Sequence, residues 1–430
     1  MTVDTTSNQR LRVTIVGAGL CGLATGAAMR EYADVTILES AAELGEIGAA
    51  VHLAPNAYRV IKNLGGDLLK YGSVPCKAYR CWSPEAKILI DAHFDPLKDE
   101  GCEWTLNHRA DVQKELWRLA TTEKGLGKPC EIRLNARVVD LDTSTGLVTL
   151  ASGQTVEGDI IIGSDGIKSV VRAKTISASY NSAPSGHSAY RTLVPSHKIE
   201  SNERLKALGL LEGRITVVDG GERRIICYPC RDGSLLNFVC CLPDSELNEI
   251  SEEKWTAKGD VDSLVKSYET FDPVWQELLS QAEDIGLWQL RDQEPLDRWV
   301  NGRCILVGDG AHAMLPHQGQ GASQAFEDAE ALGYVLRSLT TSSSSSSASS
   351  PPSFEEVNAA LQRVFSIRYK RATYIQQLSR AGGLGEMRRK GLSLANGEEA
   401  PPLNPMKQQE YTWGYWGAER WEAERKDWLA

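Results

Sequence analysis

The chain has 430 residues, 42% apolar and 24% charged, which is enough for two or three domain cores and ordinary for a soluble globular protein. A formal net charge of −10 repels nucleic-acid backbones and anionic membrane surfaces, and no apolar run approaches the roughly eighteen residues of a membrane span. Residues 1–9 are polar and lack the apolar core of a signal peptide, so a cytoplasmic protein with a small-molecule partner is the expectation.

Residues 13–16, Val-Thr-Ile-Val, form the apolar, β-branched run that a parallel strand covered on both faces needs. They feed into Gly17-Ala18-Gly19-Leu20-Cys21-Gly22 and a helix of small residues. In such a turn Gly17 permits the reversal, Gly19 lets the backbone approach a pyrophosphate, and Gly22 lets the helix close on its strand. The helix N-terminus then faces the anion. A second strand at 35–38 ends on Glu39, where a carboxylate accepts hydrogen bonds from an adenosine ribose. A GxGxxG alone also fits a ligand-free turn; the preceding strand, the following helix and the closing acid favour a dinucleotide.

Residues 44–56 read as a glycine-rich loop entering a helix near Pro55, and small residues at 48–50 leave room for a flat ring system. His52 lies beside them, as either a packed or a chemical residue. Short alternating runs at 75–104 are expected as excursion strands. A helix then opens at 107–113 with Arg109 in its first turn, where a guanidinium reaches a phosphate, a ribityl oxygen or only solvent. A hairpin is expected over 138–156, followed by a buried strand at 159–163 that ends in Ser164-Asp165-Gly166. An acid and a glycine there stand where open α/β sheets bind ligands.

From about 186 to 284 the texture turns β-rich. Strands are expected at 189–194, 215–218, 224–229 and 236–239, in one sheet that lids the nucleotide domain, with helical pieces at 261–268 and 275–281. Cys227 and Cys230 have CxxC spacing without a second ligand pair, so no metal site is expected. The ten cysteines read as free thiols. The chain returns through a strand at 303–308 into Asp309-Gly310-Ala311-His312. His317 follows, and a helix begins near Gly321 whose free N–H groups suit an anionic ring edge. Three strand ends with glycine and acid point to a long, bent cofactor. The Ser-rich residues 340–353 read as a surface loop, and a helix resumes over 354–380. Trp413, Trp416, Trp421 and Trp428 either staple the tail to the core or meet a second copy in a homodimer.

In this order, GAGLCG at 17–22 with Glu39, GSDGIKSVVR at 163–172 and GDGAHAMLPHQGQGA at 308–322 resemble the group A FAD-dependent aromatic monooxygenases. The likeness is to the salicylate-hydroxylase-like branch and its fungal natural-product hydroxylases. QAFEDAEAL at 324–332 and RYKRATYIQQLSR at 368–380 extend it over roughly residues 12–385. The resemblance implies an α/β, PHBH-like fold. A Rossmann-like FAD-binding domain would occupy 1–185 and 287–340, with an inserted β-sheet substrate domain at 186–286. A Ser-rich loop at 341–353 and C-terminal helices over 354–430 would complete it.

It also implies that Gly17, Gly19, Gly22 and Glu39 bind the ADP half of FAD and that Arg109 touches the cofactor. Asp165 would serve FAD and NAD(P)H, and Asp309 would bind the ribityl chain. Gly321 and Ala322 would lie under the flavin, with Ala49 and Ala50 in the loop beside it. Gly310 replaces the commoner alanine of GDAAH, a small change. On the substrate side, Arg191 and Tyr228 match positions that hold a phenolate or assist oxygen transfer, although strand residues of these types also serve as ion-paired or packed groups. His317 is a third candidate to touch substrate or flavin. The implied reaction has NADPH or NADH reduce the FAD and O2 form a C4a-hydroperoxide. An electron-rich aromatic substrate then takes one oxygen atom, in secondary metabolism. An epoxidase, a flavin reductase or dehydrogenase, and a dinucleotide-stabilised binding protein are the alternatives.

Overall fold

A computed structural model of the chain describes residues 10–45, 50–176, 182–247, 256–341, 351–383 and 405–424. Ala49, the Ser-rich residues 342–350 and Trp428 lie outside the described residues. The nucleotide domain is built on a six-stranded sheet. Its order is Val300–Asn301, Cys304–Leu306, Ile160–Gly163, Leu11–Val16, Ala33–Leu38 and Glu131–Arg133, parallel apart from the first. The central strand Leu11–Val16 is covered on both faces, which is why its sequence does not alternate. Small residues let the helices pack closely. A Cβ on Gly26 would lie 2.9 Å from Ile37 Cδ1, and one on Gly333 3.1 Å from Ala28 Cβ.

The second large sheet has eight strands, ordered Thr256–Lys258, Gly286–Asp292, Ala183–Pro195, Leu235–Pro243, Arg224–Cys230, Arg214–Asp219, Ala78–Trp82 and Ile88–His93. It is not confined to the span 186–286. The hairpin at 78–93 joins it from the first third of the chain, through parallel pairing of Ala78–Trp82 with Arg214–Asp219. One face packs under the short helices on a core of Tyr190, Phe238, Leu264 and Trp275. The other turns toward the nucleotide domain, where Val217 and Tyr228 meet Ala54, Trp104, Leu106 and Trp413.

Two long helices close the molecule. Gly321–Thr341 follows the return strand, and Phe354–Ala381 begins on a capping box in which Ser353 and Glu356 satisfy each other's backbone N–H groups. The tail helix Pro405–Trp413 brings Trp413 into the core, and Trp421 packs on Tyr411 and Tyr415. Trp416 stays 42% exposed, its ring under the Arg59 guanidinium at 3.8 Å.

Candidate active site

At the nucleotide end the three glycines differ physically. Gly17 has φ +102°, and a Cβ there would lie 2.6 Å from the Ser164 carbonyl oxygen, so both turn and neighbour require glycine. A Cβ on Gly22 would lie 1.9 Å from the Gly17 carbonyl oxygen; this glycine lets the helix close on the turn. A Cβ on Gly19 would meet nothing within 4 Å, which leaves an open cradle at the start of helix Leu20–Met29. Glu39 Oε2 accepts from the Ala18 N–H at 2.8 Å, and its other oxygen accepts from the Ala41 N–H and the Ser40 hydroxyl. The carboxylate thus ties down the glycine turn and keeps one lone pair free on Oε2 among the described residues.

The second strand end does something the sequence reading did not include. Asp165 accepts from the Val170 N–H at 2.7 Å, the Val171 N–H at 3.1 Å and the Ser169 hydroxyl, so it shares the capping of the helix Val170–Thr175 with Ser169, the N-cap residue, which accepts from the Arg172 N–H. Arg172 locks this loop to the third strand end by donating to the carbonyls of Ile167 and Gly310. Gly310 matters more than the sequence suggested. A Cβ there would lie 2.9 Å from the Gly163 carbonyl oxygen, so an alanine would need a small shift of this strand end.

The third strand end opens into a cleft. Asp309 keeps exposed surface, and its carboxylate has no hydrogen-bond donor among the described residues. Burial by the surrounding protein nevertheless raises its pKa against the pull of His312, Arg109 and Arg172. A group that is exposed yet poorly hydrated lines a deep recess. Arg109, at the first position of helix Arg109–Thr121, follows the strand that pairs His108 with Ala50. Burial lowers its pKa, Asp309 opposes this, and Arg191 adds repulsion. Arg109 therefore stands within electrostatic reach of both Asp309 and Arg191, two cations to one acid around this recess. A Cβ on Gly321, at the start of the next helix, would meet only Met314 Cγ at 3.9 Å, and Ala322 follows with its backbone N–H in the first turn.

Arg191 and Tyr228 lie on the same face of the large sheet. Arg191 pairs with Val239 and Val239 with Ile226, two residues from Tyr228. Each influences the other's charge, and burial raises the Tyr228 pKa, keeping the phenol protonated. Arg191 Nε is buried without a hydrogen-bond partner, and its guanidinium sits 5.5 Å from the Trp288 ring centroid. The histidine beside Tyr228 is His52, with ring centroids 6.1 Å apart. His317 stands against Gly382 at the end of the long helix instead. Burial, followed by Arg224 and His187, drives its pKa down to about 3, so it is neutral.

Behind the recess lies a polar network that the motif reading used only as a likeness. Arg368 donates to Asp328 at 2.9 Å, to Glu327 at 2.5 Å and to the Gln324 side chain at 2.7 Å. Arg371 donates to both Glu327 oxygens and to the carbonyls of Tyr411 and Thr412. Asn56 donates to Glu327, while Asp328 also bonds His312 Nε2 at 2.6 Å and accepts from the Gly308 N–H. The four charged side chains are fully buried. Burial works to raise the pKa of both acids, but the attraction of Arg371 and Arg368 for Glu327, and of His312 and Arg368 for Asp328, outweighs it. Two arginines at i, i+3 on one predicted helix and adjacent acids on another were the available signal.

An open glycine cradle after the strand Leu11–Val16, and an acid after each of the strands Ala33–Leu38, Ile160–Gly163 and Cys304–Leu306, are what a dinucleotide-cofactor oxidoreductase needs. The comparisons agree. The chain matches the family model described as FAD binding domain over residues 10–348. It is 33% identical over 387 residues to the FAD-dependent monooxygenase cfoG of Aspergillus candidus, covering 87% of this chain and 86% of that one. It is 33% identical to hispidin-3-hydroxylase of Neonothopanus nambi, with 77% and 82% covered. Against 3-hydroxybenzoate 6-hydroxylase of Klebsiella oxytoca the identity is 30%, with 76% and 80% covered. Among solved structures, CtdE in complex with FAD and a substrate aligns with TM-score 0.78 at 20% identity, covering 97% and 98% of the two chains. A salicylate hydroxylase substrate complex aligns at 0.72 and 23%, covering 98% and 97%. The chain belongs to the FAD-binding family and is an FAD-dependent monooxygenase with the PHBH-like fold.

Proposed function

We propose that the protein hydroxylates an electron-rich aromatic small molecule in secondary metabolism, using NAD(P)H and O2. The observation that carries this reading is the pair Arg191 and Tyr228, on one face of the sheet with a single strand between them and within electrostatic reach of each other, with Arg191 also within reach of Arg109. Bound FAD supplies the oxygen-activating redox chemistry. The residues present fit it: Gly19 leaves room for the pyrophosphate, Glu39 takes the ribose, Asp309 takes the ribityl hydroxyls, and the Gly321–Ala322 helix start faces the anionic ring edge. Ala50, paired with His108, and Arg109 beside it would be the protein groups nearest the ring when FAD is bound.

Arg191 then has a defined task. Its guanidinium is desolvated, and its Nε hydrogen lacks an acceptor, so a phenolate oxygen relieves an existing cost as it binds. The protonated Tyr228 hydroxyl beside it donates to the same oxygen or holds a proton during transfer. The relatives named hispidin-3-hydroxylase and 3-hydroxybenzoate 6-hydroxylase support an aromatic substrate. The test is a panel of phenols and indoles incubated with NADPH or NADH under labelled dioxygen, with products read by mass spectrometry. One labelled oxygen atom in an aromatic product is expected. NAD(P)H oxidation with no label in any organic product would favour a reductase, and label on an alkene would favour an epoxidase.

A further inference from the structure

His52 is fixed in one protonation form by a neighbour fifty-two residues away. The Trp104 indole N–H, which can only donate, points at His52 Nδ1 at 3.1 Å. Nδ1 must therefore present its lone pair, and in the neutral ring the proton sits on Nε2. Protonating Nδ1 would turn two N–H groups against each other. Trp104 is held in turn by Phe94 at 5.7 Å and Trp413 at 5.3 Å between ring centroids. On its other side the imidazole packs edge-on to Tyr228.

The Nε2 side of the ring faces the loop that precedes the helix at Gly321. A Cβ at residue 319 would lie 1.9 Å from Nε2, and Gly319 has φ +60°, so both backbone and space keep this position glycine. Nε2 has no acceptor among the described residues, and His52 is only partly buried. Among the described residues, the groups shown facing the imidazole are Trp104, Tyr228 and Gly319. No charged side chain contributes to its titration, and burial alone lowers its pKa to about 4.

We propose that Trp104 holds His52 as a neutral Nε2–H donor, and that this N–H binds an oxygen acceptor on the aromatic substrate, one separate from the oxygen taken by Arg191. The inference rests on the aromatic reading above and adds to it a substrate class: a phenol that carries a second oxygen, a carbonyl or an ether. His52 binds the ligand, and Trp104 is a positioning residue.

The tautomer can be read without any ligand. In protein labelled with 15N-histidine, one of the seven imidazoles should show the Nε2–H pattern unchanged from pH 5 to 8 and vanish in His52→Gln. Trp104→Phe keeps an aromatic ring against Phe94 and Trp413 but removes the donor. It should give a mixture of tautomers and move the titration upward, toward the ordinary value of about 6.5. An unchanged His52 signal in Trp104→Phe overturns the positioning role. The second arm titrates FAD-loaded protein with phenol and with 2-hydroxyacetophenone, following the flavin absorbance. His52→Phe should weaken 2-hydroxyacetophenone roughly tenfold and leave phenol nearly unchanged, with FAD retention intact. His52→Gln, which restores an N–H, should recover most of the loss. Equal weakening of both probes, or loss of FAD, overturns the donor role. If wild-type protein binds neither probe, the aromatic reading fails, while the nitrogen signals still report on the tautomer.

Discussion

Two polar regions meet at the third strand end and are built on opposite terms. In the buried network of Glu327, Asp328, Arg368 and Arg371, each charged group is matched by fixed partners. Across the recess, among the described residues, Asp309 has no donor, Arg191 keeps a buried Nε without an acceptor, and His52 Nε2 has none. Only nineteen residues separate Asp309 from Asp328, yet among the described residues the carboxylate of Asp328 has its donors and that of Asp309 has none. The difference teaches that acids in similar glycine-flanked motifs acquire their roles from hydrogen-bond accounting. A closed network packs behind the helix that starts at Gly321, and on the proposed function the open groups at its edge do the recognising.

The comparison is broken most severely on the open side. Arg191→Ala should lower product formation by roughly 10²–10⁴-fold while folding and FAD content hold, with oxygen uptake diverted to hydrogen peroxide. Product, peroxide and melting temperature measured on the same preparation decide it; a fall in melting temperature matching the loss of product would move Arg191 to the structural side.

On the closed side, Arg368→Ala leaves Glu327 and Asp328 buried with one cation fewer and should cost about 3–5 kcal/mol of unfolding free energy. Denaturant titration checks this, and a cost below about 1 kcal/mol would show that the network relaxes. The two acids ionise below their ordinary range in the folded protein, so their contribution is present above about pH 4 and is lost as pH falls through those depressed values.

Asp309→Asn should behave oppositely. The raised pKa means that the fold disfavours the ionised form, a cost present at neutral pH that lifts as pH falls through the folded pKa. The FAD-free variant should therefore be at least as stable as wild type at pH 7, with the advantage shrinking toward pH 4. Its FAD affinity should fall roughly 10- to 100-fold, as expected for losing a charge-assisted hydrogen bond. Thermal melts at both pH values with an equilibrium FAD titration separate the two effects. Asp165→Ala gives the smallest change, a loss of about 0.5–2 kcal/mol as a helix cap, with FAD affinity reduced less than in Asp309→Asn. The reverse order of affinities would make Asp165 a primary cofactor ligand.

The glycine turn, Glu39 and the three strand ends were legible because their signals are local: a strand, a turn and a helix within thirty residues. Asp165 was legible as an acid at a strand end but not as a helix-capping group, although Ser169 four residues on is a helix-start residue. Arg368 and Arg371 find their acids about forty residues away, and His52 finds Trp104 across fifty-two, distances at which periodicity says nothing. The hairpin at 78–93 was read as excursion strands. Its place in the large sheet follows from a parallel pairing with residues 214–218 that no turn signal encodes.

All ten cysteines are buried. Desolvation holds the thiols of Cys76, Cys130, Cys227 and Cys304 up at about 12. Peroxide attacks thiolates rather than thiols, and it reaches only those it can touch. When turnover uncouples and oxygen leaves the recess half-reduced, the protein presents no surface thiolate to be oxidised. The packing that stabilises its two cores also makes the chain durable toward its own by-product.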